Sequence, residues 1–225
     1  MITVIIPALN EERTIRHVLR LVNKSINVTE VIVVDDNSSD NTVAEARKED
    51  AIVVTSSRIG KGTSMKEGVL VAKNDIIVFL DADITTYSDN VVELLTEPLL
   101  KDEADFIKSY FTRQAGRVTE LLARPLLSLL NPSFPNFKQP LSGMIAGRKS
   151  LFMKCYFEDD YGVDIGILLD MHNMGVRIKE VCIGYIENKM QPLEQLGKMS
   201  LEVARTIMKR SGFWGTSTFY PEKII

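Results

Sequence analysis

The sequence predicts an α/β fold with a mostly parallel central sheet and a C-terminal lobe, on three observations. Short β-branched runs alternate with helical segments from residue 1 to about residue 107, the rhythm of parallel strands joined by crossover helices. Polar and acidic residues gather where three of those runs end, at Asn10-Glu11-Glu12, Asp35-Asp36 and Asp81-Ala82-Asp83, and open α/β sheets bind ligands outside the carboxyl ends of their strands. The chain has 225 residues, 45% of them apolar and 25% charged, an ordinary composition for a globular protein with a buried core, which excludes wholesale disorder.

Thr3–Ile6, Val31–Asp35, Ile52–Thr55, Ile76–Leu80 and Phe106–Ser109 are the expected strands of the first half. Between them, Glu11–Val22, Thr42–Glu49, Ser64–Ala72 and Val91–Leu100 carry apolar residues at spacings of three and four, which predicts helices. After Ser109 the pattern changes: Val118–Leu130 predicts a helix interrupted by Pro125, followed by a proline-containing loop over Asn131–Gln139. Residues 144 to 185 read as strand, helix, helix and strand, with Gly162–Met174 the longest helical stretch among them, and Leu193–Met208 as a last amphipathic helix. No repeat or polar linker divides the chain, so a single domain over 1–225 is expected, with halves 1–110 and 111–225.

The formal net charge of −3 gives no global positive field for nucleic acid, although it leaves a local basic patch open. Cys155 and Cys182 lie far apart with neither a CxxC spacing nor a nearby histidine, which predicts buried thiols in a reducing compartment. The chain opens on the apolar run Ile2–Ile6, broken at Pro7, unlike a signal peptide, and no apolar run approaches the roughly 20 residues that span a bilayer. A cytoplasmic protein is expected, with peripheral membrane contact left open.

The chemistry concentrates in a few motifs. Asp81-Ala82-Asp83 directly follows an apolar strand, so two carboxylates can face one opening as hard oxygen ligands for Mg²⁺ or Mn²⁺; alone, the motif reads equally as a solvated turn. Residues 7 to 12 contain no glycine, which argues against a dinucleotide fold. Gly60-Lys61-Gly62 lacks the first glycine of a Walker loop, because position 55 is Thr55. What remains is a glycine pair around a lysine before a helix, suited to phosphate contact through backbone amides and one cation, or an ordinary loop.

Taken in order, Val4-Ile5-Ile6-Pro7-Ala8-Leu9-Asn10-Glu11-Glu12, Val33-Val34-Asp35-Asp36-Asn37-Ser38-Ser39-Asp40, Gly60-Lys61-Gly62 and Phe79-Leu80-Asp81-Ala82-Asp83 resemble the nucleotide-sugar half of the family-2-like glycosyltransferases of the GT-A fold, a Rossmann-like arrangement. Gly116-Arg117-Val118-Thr119, Gln139-Pro140-Leu141-Ser142-Gly143, Tyr161-Gly162-Val163-Asp164-Ile165-Gly166 and Gln191-Pro192-Leu193 resemble the glucosyl- and mannosyl-3-phosphoglycerate synthases within that group. The resemblance implies retaining transfer of a hexose from UDP-glucose or a GDP-sugar to 3-phosphoglycerate or a similar small phosphorylated acceptor, assisted by Mg²⁺ or Mn²⁺. It implies that Pro7, Ala8, Leu9, Glu11 and Asp36 line the nucleoside pocket, that Lys61 lies near the diphosphate, and that Asp81 and Ala82 face the ribose or sugar. Asp83 would bind the metal, Leu141–Gly143 would shape the junction of sugar and acceptor, and Gly116, Arg117, Val118 and Thr119 would hold the acceptor phosphate. Asp164 would hold sugar hydroxyls, one methylene shorter than the glutamate usual in the family. A homodimer is also suggested.

One segment departs from the pattern. Ile186, Asn188 and Met190 stand where the family usually carries Arg, a metal-binding His and Asn. Asn188 still offers a carbonyl oxygen to the metal, more weakly than imidazole would, and the acceptor is left open. The alternatives are transfer to a polyprenyl phosphate or lipid-linked glycan, with Phe213, Trp214 and Phe219 meeting a membrane, and a nucleotide-sugar-binding protein without turnover. A nucleotidyltransferase is disfavoured by the missing glycine-rich first loop. His17 and His172, within predicted helices, read as structural or surface residues.

Overall fold

The structure, a computed structural model, describes residues 1–57, 60–112, 116–187 and 192–213. Four apolar runs form parallel strands: β1 (Ile2–Ala8), β2 (Val28–Asp35), β3 (Ile52–Thr55) and β4 (Ile76–Phe79), with β1 between β2 and β4 and β3 beyond β2. Side chains alternate faces along a strand, so β1 and β4 are apolar on both sides. Val4, Ile6 and Val78 enter one core layer, whereas Ile5, Ile77 and Phe79 enter the other. Helices α1 (Ile15–Val22) and α4 (Val91–Leu100) cover the first face, and α3 (Lys61–Val71) covers the second. Helix α2 (Thr42–Arg47) joins β2 to β3.

Helix α1 begins four residues later than the apolar spacing predicts. Asn10 takes a positive φ of 58°, and the amides of Glu11 and Glu12 donate to Thr42 Oγ1 (2.7 Å) and the Asp40 carboxylate (3.1 Å). Those bonds fasten the loop after β1 to the loop after β2 instead of extending the helix.

The second half completes a seven-stranded sheet in the order β3-β2-β1-β4-β6-β5-β7, with β5 (Phe106–Tyr110), β6 (Ile145–Arg148) and β7 (Ile178–Cys182). Strand β6 runs antiparallel to both β4 and β5, whereas β5 and β7 are parallel. This reversal positions the site, because Ile145 pairs with Phe79 and the residues just before β6 therefore meet those just after β4. The helix expected at Val118–Leu130 forms as a π-helical turn over Thr119–Ala123 leading into α5 (Arg124–Leu130). Pro125 has no N–H for a carbonyl four residues back, and a wider turn accommodates its ring.

Helices α6 (Lys149–Phe152), α7 (Val163–Asn173) and α8 (Leu193–Arg210) follow. Val203 and Ile207 of α8 enter the second core layer, and Arg210 donates to Glu158 (2.7 Å) and Asp170 (2.8 Å), which ties α8 to the segment carrying α7. Among the described residues no helix is long and apolar enough to cross a membrane. Phe213 is exposed, and Trp214 and Phe219 lie outside the described residues. Both cysteines are free, but each is half-buried rather than fully buried as expected; burial still pushes the Cys155 thiol up to about 12.

Phe152 is fully buried and makes edge-to-face contacts with Phe79 of β4 (5.3 Å between ring centres) and Phe106 of β5 (5.9 Å), so one ring joins the parallel half of the sheet to the added half. Phe152→Ala is expected to lower stability by about 3–5 kcal/mol, as for other large-to-small core truncations. Equilibrium urea unfolding measures this, and a loss below about 1 kcal/mol would show that the ring does not join the halves.

Candidate functional site

The carboxyl ends of β1, β2 and β3 are fastened edge to edge. Asp36 N donates to Ala8 O, and Ser56 N to Asp35 O, each at 2.8 Å. Asn10 and Asn37 hold positive φ values of 58° and 64°, a conformation asparagine tolerates better than most residues. Asn10 N donates to Ser38 Oγ (2.9 Å) and Asn10 Oδ1 accepts from Ser39 N (2.8 Å). These bonds gather Pro7, Ala8, Leu9, Glu11 and Asp36 at one corner, with Leu9 exposed on the rim, Pro7 half-buried, and Ala8 and Asp36 buried. The Asp36 carboxylate accepts the Gly60 amide at 2.8 and 3.0 Å. Burial raises its pKa, partly offset by that bond.

The glycines of Gly60-Lys61-Gly62 serve a different purpose from the phosphate contact expected of their amides. Gly60 N is engaged by Asp36, and Gly62 N donates to Asp159 O (3.3 Å). A Cβ on Gly60 or Gly62 would be driven into the carbonyl of Asp159 or Glu158, and Gly60 also has φ 147°. The start of α3 therefore packs directly on the backbone at residues 158–159, and Lys61 is the group this motif delivers to the site.

Lys61 Nζ lies 3.0 Å from Asp164 Oδ2 and 3.1 Å from Asp81 Oδ1. Asp164 stands in the first turn of α7, with its side chain 4% exposed. Burial works against the Lys61 charge, but Asp164 and then Asp81 outweigh it and raise its pKa. Asp164 Oδ1 is buried with no hydrogen-bond partner. Gly143 closes the group: a Cβ there would lie 2.5 Å from Lys61 Nζ, 3.0 Å from Asp81 Oδ1 and 3.2 Å from Asp164 Oδ1, so the absent side chain keeps open the space these groups face.

Two supports of this cluster escape a reading of motifs. Tyr87 Oη accepts from Asp81 N (3.0 Å) and donates to Asp81 O (3.2 Å), which clamps the backbone at the first aspartate. Burial, and then Asp81, raises the Tyr87 pKa and keeps the donor proton on. Lys108 of β5 is completely buried and donates to Ser142 O (2.7 Å) and Asp164 O (3.3 Å). No local pattern marks Tyr87, and Lys108 sits in the strand Phe106-Ile107-Lys108-Ser109, which is half polar in sequence and gives no sign of its burial.

Ala82 is buried and Asp83 exposed, so the two aspartates flanking Ala82 differ in exposure, Asp81 being half-buried. Glu187 N donates to Thr86 Oγ1 (2.9 Å), which brings the chain preceding Asn188 to the loop that follows Asp83. Asn188, Met190 and Gln191 lie outside the described residues. Ile186 is fully buried in the first core layer, and so makes no replacement for a surface cation. Leu141 packs half-buried on the second core layer. Gly116 and Arg117 are exposed, whereas Val118 and Thr119 are buried at the start of the π-helical turn. His17 is exposed on α1, and His172 packs edge-on against Phe134.

Asp81 and Asp83 are hard oxygen donors, and among the described residues no group of three His, Cys, Asp or Glu side chains could hold a metal ion. That donor set fits Mg²⁺ or Mn²⁺ whose remaining positions are filled by phosphate oxygens, because such ions are commonly held by one or two carboxylates plus substrate phosphates.

Residues 3–159 match the family model for glycosyl transferase family 2. The chain is 35% identical over 94% of its length to glucosyl-3-phosphoglycerate synthase of Mycobacterium tuberculosis, covering 74% of that protein. It is 34% identical over 95% of its length to the synthase of Petrotoga mobilis, again covering 74%. The fold superposes on the crystal structure of the M. tuberculosis synthase in complex with Mn²⁺, UDP and glucosyl-3-phosphoglycerate, with a TM-score of 0.90 and 36% identity over 96% of this chain and 81% of that one. The same holds for the complex of that synthase with Mn²⁺, UDP-glucose and phosphoglyceric acid, at a TM-score of 0.90, 36% identity and the same coverage. Strand order, the charge cluster beyond the strand ends and these likenesses agree: the chain belongs to glycosyl transferase family 2.

Proposed function

We propose that the protein transfers glucose from UDP-glucose to the one free hydroxyl of 3-phosphoglycerate, with Mg²⁺ or Mn²⁺ as cofactor. The reading is supported by likeness, over 94% of this chain, to synthases of that reaction, one of them solved with UDP-glucose, phosphoglyceric acid and Mn²⁺ together. The observation in this chain that carries it is the buried, unpartnered Asp164 Oδ1 facing the space above Gly143, an acceptor that a sugar hydroxyl satisfies.

In this reading the corner of Pro7, Ala8, Leu9, Glu11 and Asp36 takes the nucleoside, and Lys61 meets the diphosphate as a cation already held in place by two carboxylates. Asp81 and Ala82 face the ribose and sugar. Asp83 would hold the divalent ion together with Asn188, and when bound the ion supplies positive charge to the departing diphosphate. Asp164 and the Leu141–Gly143 loop orient the hexose, so that the acceptor oxygen forms its bond to the anomeric carbon as the bond to the diphosphate breaks. The acceptor proton leaves with the diphosphate oxygen, on the same face, with retention. Gly116, Arg117, Val118 and Thr119 form the acceptor side, where the exposed Arg117 presents the cation a phosphate requires. Most of the acceleration would come from holding donor and acceptor in line. The reading sets the reaction in the cytoplasm, in keeping with two highly charged small-molecule substrates. The proposal includes a homodimer, which sedimentation of the purified protein tests.

UDP release from UDP-glucose with Mn²⁺ is expected to rise at least tenfold when 3-phosphoglycerate is added; slow release with no stimulation would move the acceptor elsewhere. Asp83→Ala is expected to lower metal-dependent turnover by about 10²-fold or more, in line with the loss of a catalytic metal's charge stabilisation, with an unchanged circular dichroism spectrum. Turnover at the wild-type rate would remove Asp83 from the metal site. Gly143→Ala places a methyl against Lys61, Asp81 and Asp164 and is expected to lower kcat by roughly 10²-fold, the scale set by an ångström of misplacement. Steady-state kinetics measure this, with UDP affinity expected to fall alongside because Lys61 is displaced; an unchanged kcat would mean the sugar does not occupy that space.

A further inference from the structure

Among the described residues Lys108 is the one lysine that is fully buried, and both of its hydrogen-bond acceptors, Ser142 O and Asp164 O, are neutral carbonyls. Burying a cation is unfavourable unless something at the site requires it. Its neighbour on β5, Ser109, shares a hydrogen bond with Ser142 through their hydroxyls (2.6 Å) and donates its amide to Met144 O (3.2 Å). Strand β5 thus grips residues 142 and 144 on either side of Gly143, and Lys108 carries the same grip across to the first turn of α7. We propose that Lys108 is a positioning residue for glucosyl transfer, one ammonium group that cross-links the Ser142–Gly143 loop to Asp164 from beneath and fixes the spacing of the two surfaces that orient the hexose.

A neutral apolar residue would leave the Ser142 carbonyl without its donor and Asp164 O with only its helical one, and would let the loop and α7 move independently. The charged groups around Lys108 are Asp164 on α7, Asp81 after β4, Lys61 on α3 and Glu180 on β7. Burial lowers the Lys108 pKa to about 8, with Asp164 opposing and Lys61 reinforcing that shift. Its charge, and with it the added strength of both hydrogen bonds, is therefore lost as pH rises through about 8. The nucleoside corner is formed by other strands, and Lys61 keeps its pairing with Asp81, so UDP retains its main contacts when this tie is cut.

The inference rests on the proposed glucosyl transfer, and its test separates the two. Lys108→Met and Lys108→Gln are compared with wild type for kcat, for UDP affinity and for the ratio of UDP-glucose to UDP affinity by calorimetry. Lys108→Met is expected to lose roughly 30-fold or more in kcat, a cost typical of reacting groups held out of line, and to lose discrimination between UDP-glucose and UDP, while UDP affinity stays within threefold. Lys108→Gln, which keeps an amide donor, is expected to recover part of the loss. The basic limb of the wild-type rate profile near pH 8 is expected to be absent from both variants. A wild-type kcat in Lys108→Met, or a parallel loss of UDP affinity, overturns the proposal. Should Lys108→Met not fold, Ser109→Ala removes only the hydroxyl tether to the same loop: a loss of kcat with intact UDP binding supports the proposal, and an unchanged kcat overturns it. If the wild type does not use 3-phosphoglycerate, the acceptor assignment fails, and the affinity ratio, which needs no acceptor, still decides for or against Lys108.

Discussion

The site depends on a single ammonium group. Lys61 Nζ lies between Asp81 and Asp164 at 3.1 and 3.0 Å, and its three participants come from the start of α3, the end of β4 and the start of α7. Two carboxylates facing one cavity would repel each other and shift apart or take up a proton. The lysine keeps both close, and Gly143 supplies the room in which it does so. The packing of Gly60 and Gly62 on the backbone at residues 158–159 is a condition for this arrangement, since it sets the height at which Lys61 leaves α3. Substituted glycines would therefore act on the chemistry through a displaced cation rather than through lost phosphate contacts.

The reversed strand β6 is the topological counterpart of that interaction. In a wholly parallel sheet, the residues before a strand lie at the end away from the ligand. Because β6 is antiparallel to β4 and β5, Gln139–Gly143 arrive at the same end as Asp81, and Gly143 meets Lys61, Asp81 and Asp164 there. Lys108 and Ser109 on β5 then fasten this loop from within the sheet. A rigid strand therefore sets the loop position, and the catalytic constellation inherits the precision of the sheet.

The donor half was readable because its elements obey local rules. Runs such as Ile76–Leu80 are strands by composition, and the acids that follow them fall at strand ends by register. Asp81, Lys61 and Asp164 were each singled out from motifs, but their meeting at one ammonium was not readable, since the residues lie 103 positions apart at the extreme and no periodicity encodes that contact. The direction of β6 was equally hidden, for a four-residue strand carries no mark of its polarity. Helix α1 began late because the amides of Glu11 and Glu12 found partners on another loop, a tertiary choice overriding an apolar spacing. The amides of Gly60 and Gly62 were misread for the same reason: a glycine needed for close backbone approach looks in sequence like one needed for phosphate. Lys108 was not legible at all, because in Phe106-Ile107-Lys108-Ser109-Tyr110 it reads as an ordinary polar position of a strand and its burial is a tertiary outcome.

Charge constrains the acceptor side as well. The described centre holds Lys61 and Lys108 against Asp81, Asp83 and Asp164, three acids to two cations, and so does not by itself attract a diphosphate. A divalent ion reverses that sign, which is the electrostatic reason a site of this composition is metal-dependent. The acceptor, which carries a phosphate and a carboxylate, then needs cations of its own. Ile186, at a position where an arginine would serve that need, is buried in the core between the sheet and its helices, so its side chain takes no part in recognition. Arg117 is exposed beside Gly116 and precedes the buried pair Val118 and Thr119 that anchors the π-helical turn. The guanidinium is thus carried on a fixed stem rather than a free loop, and in the proposed reading a larger share of acceptor binding would fall on it than in a site where a second arginine stands at the position of Ile186.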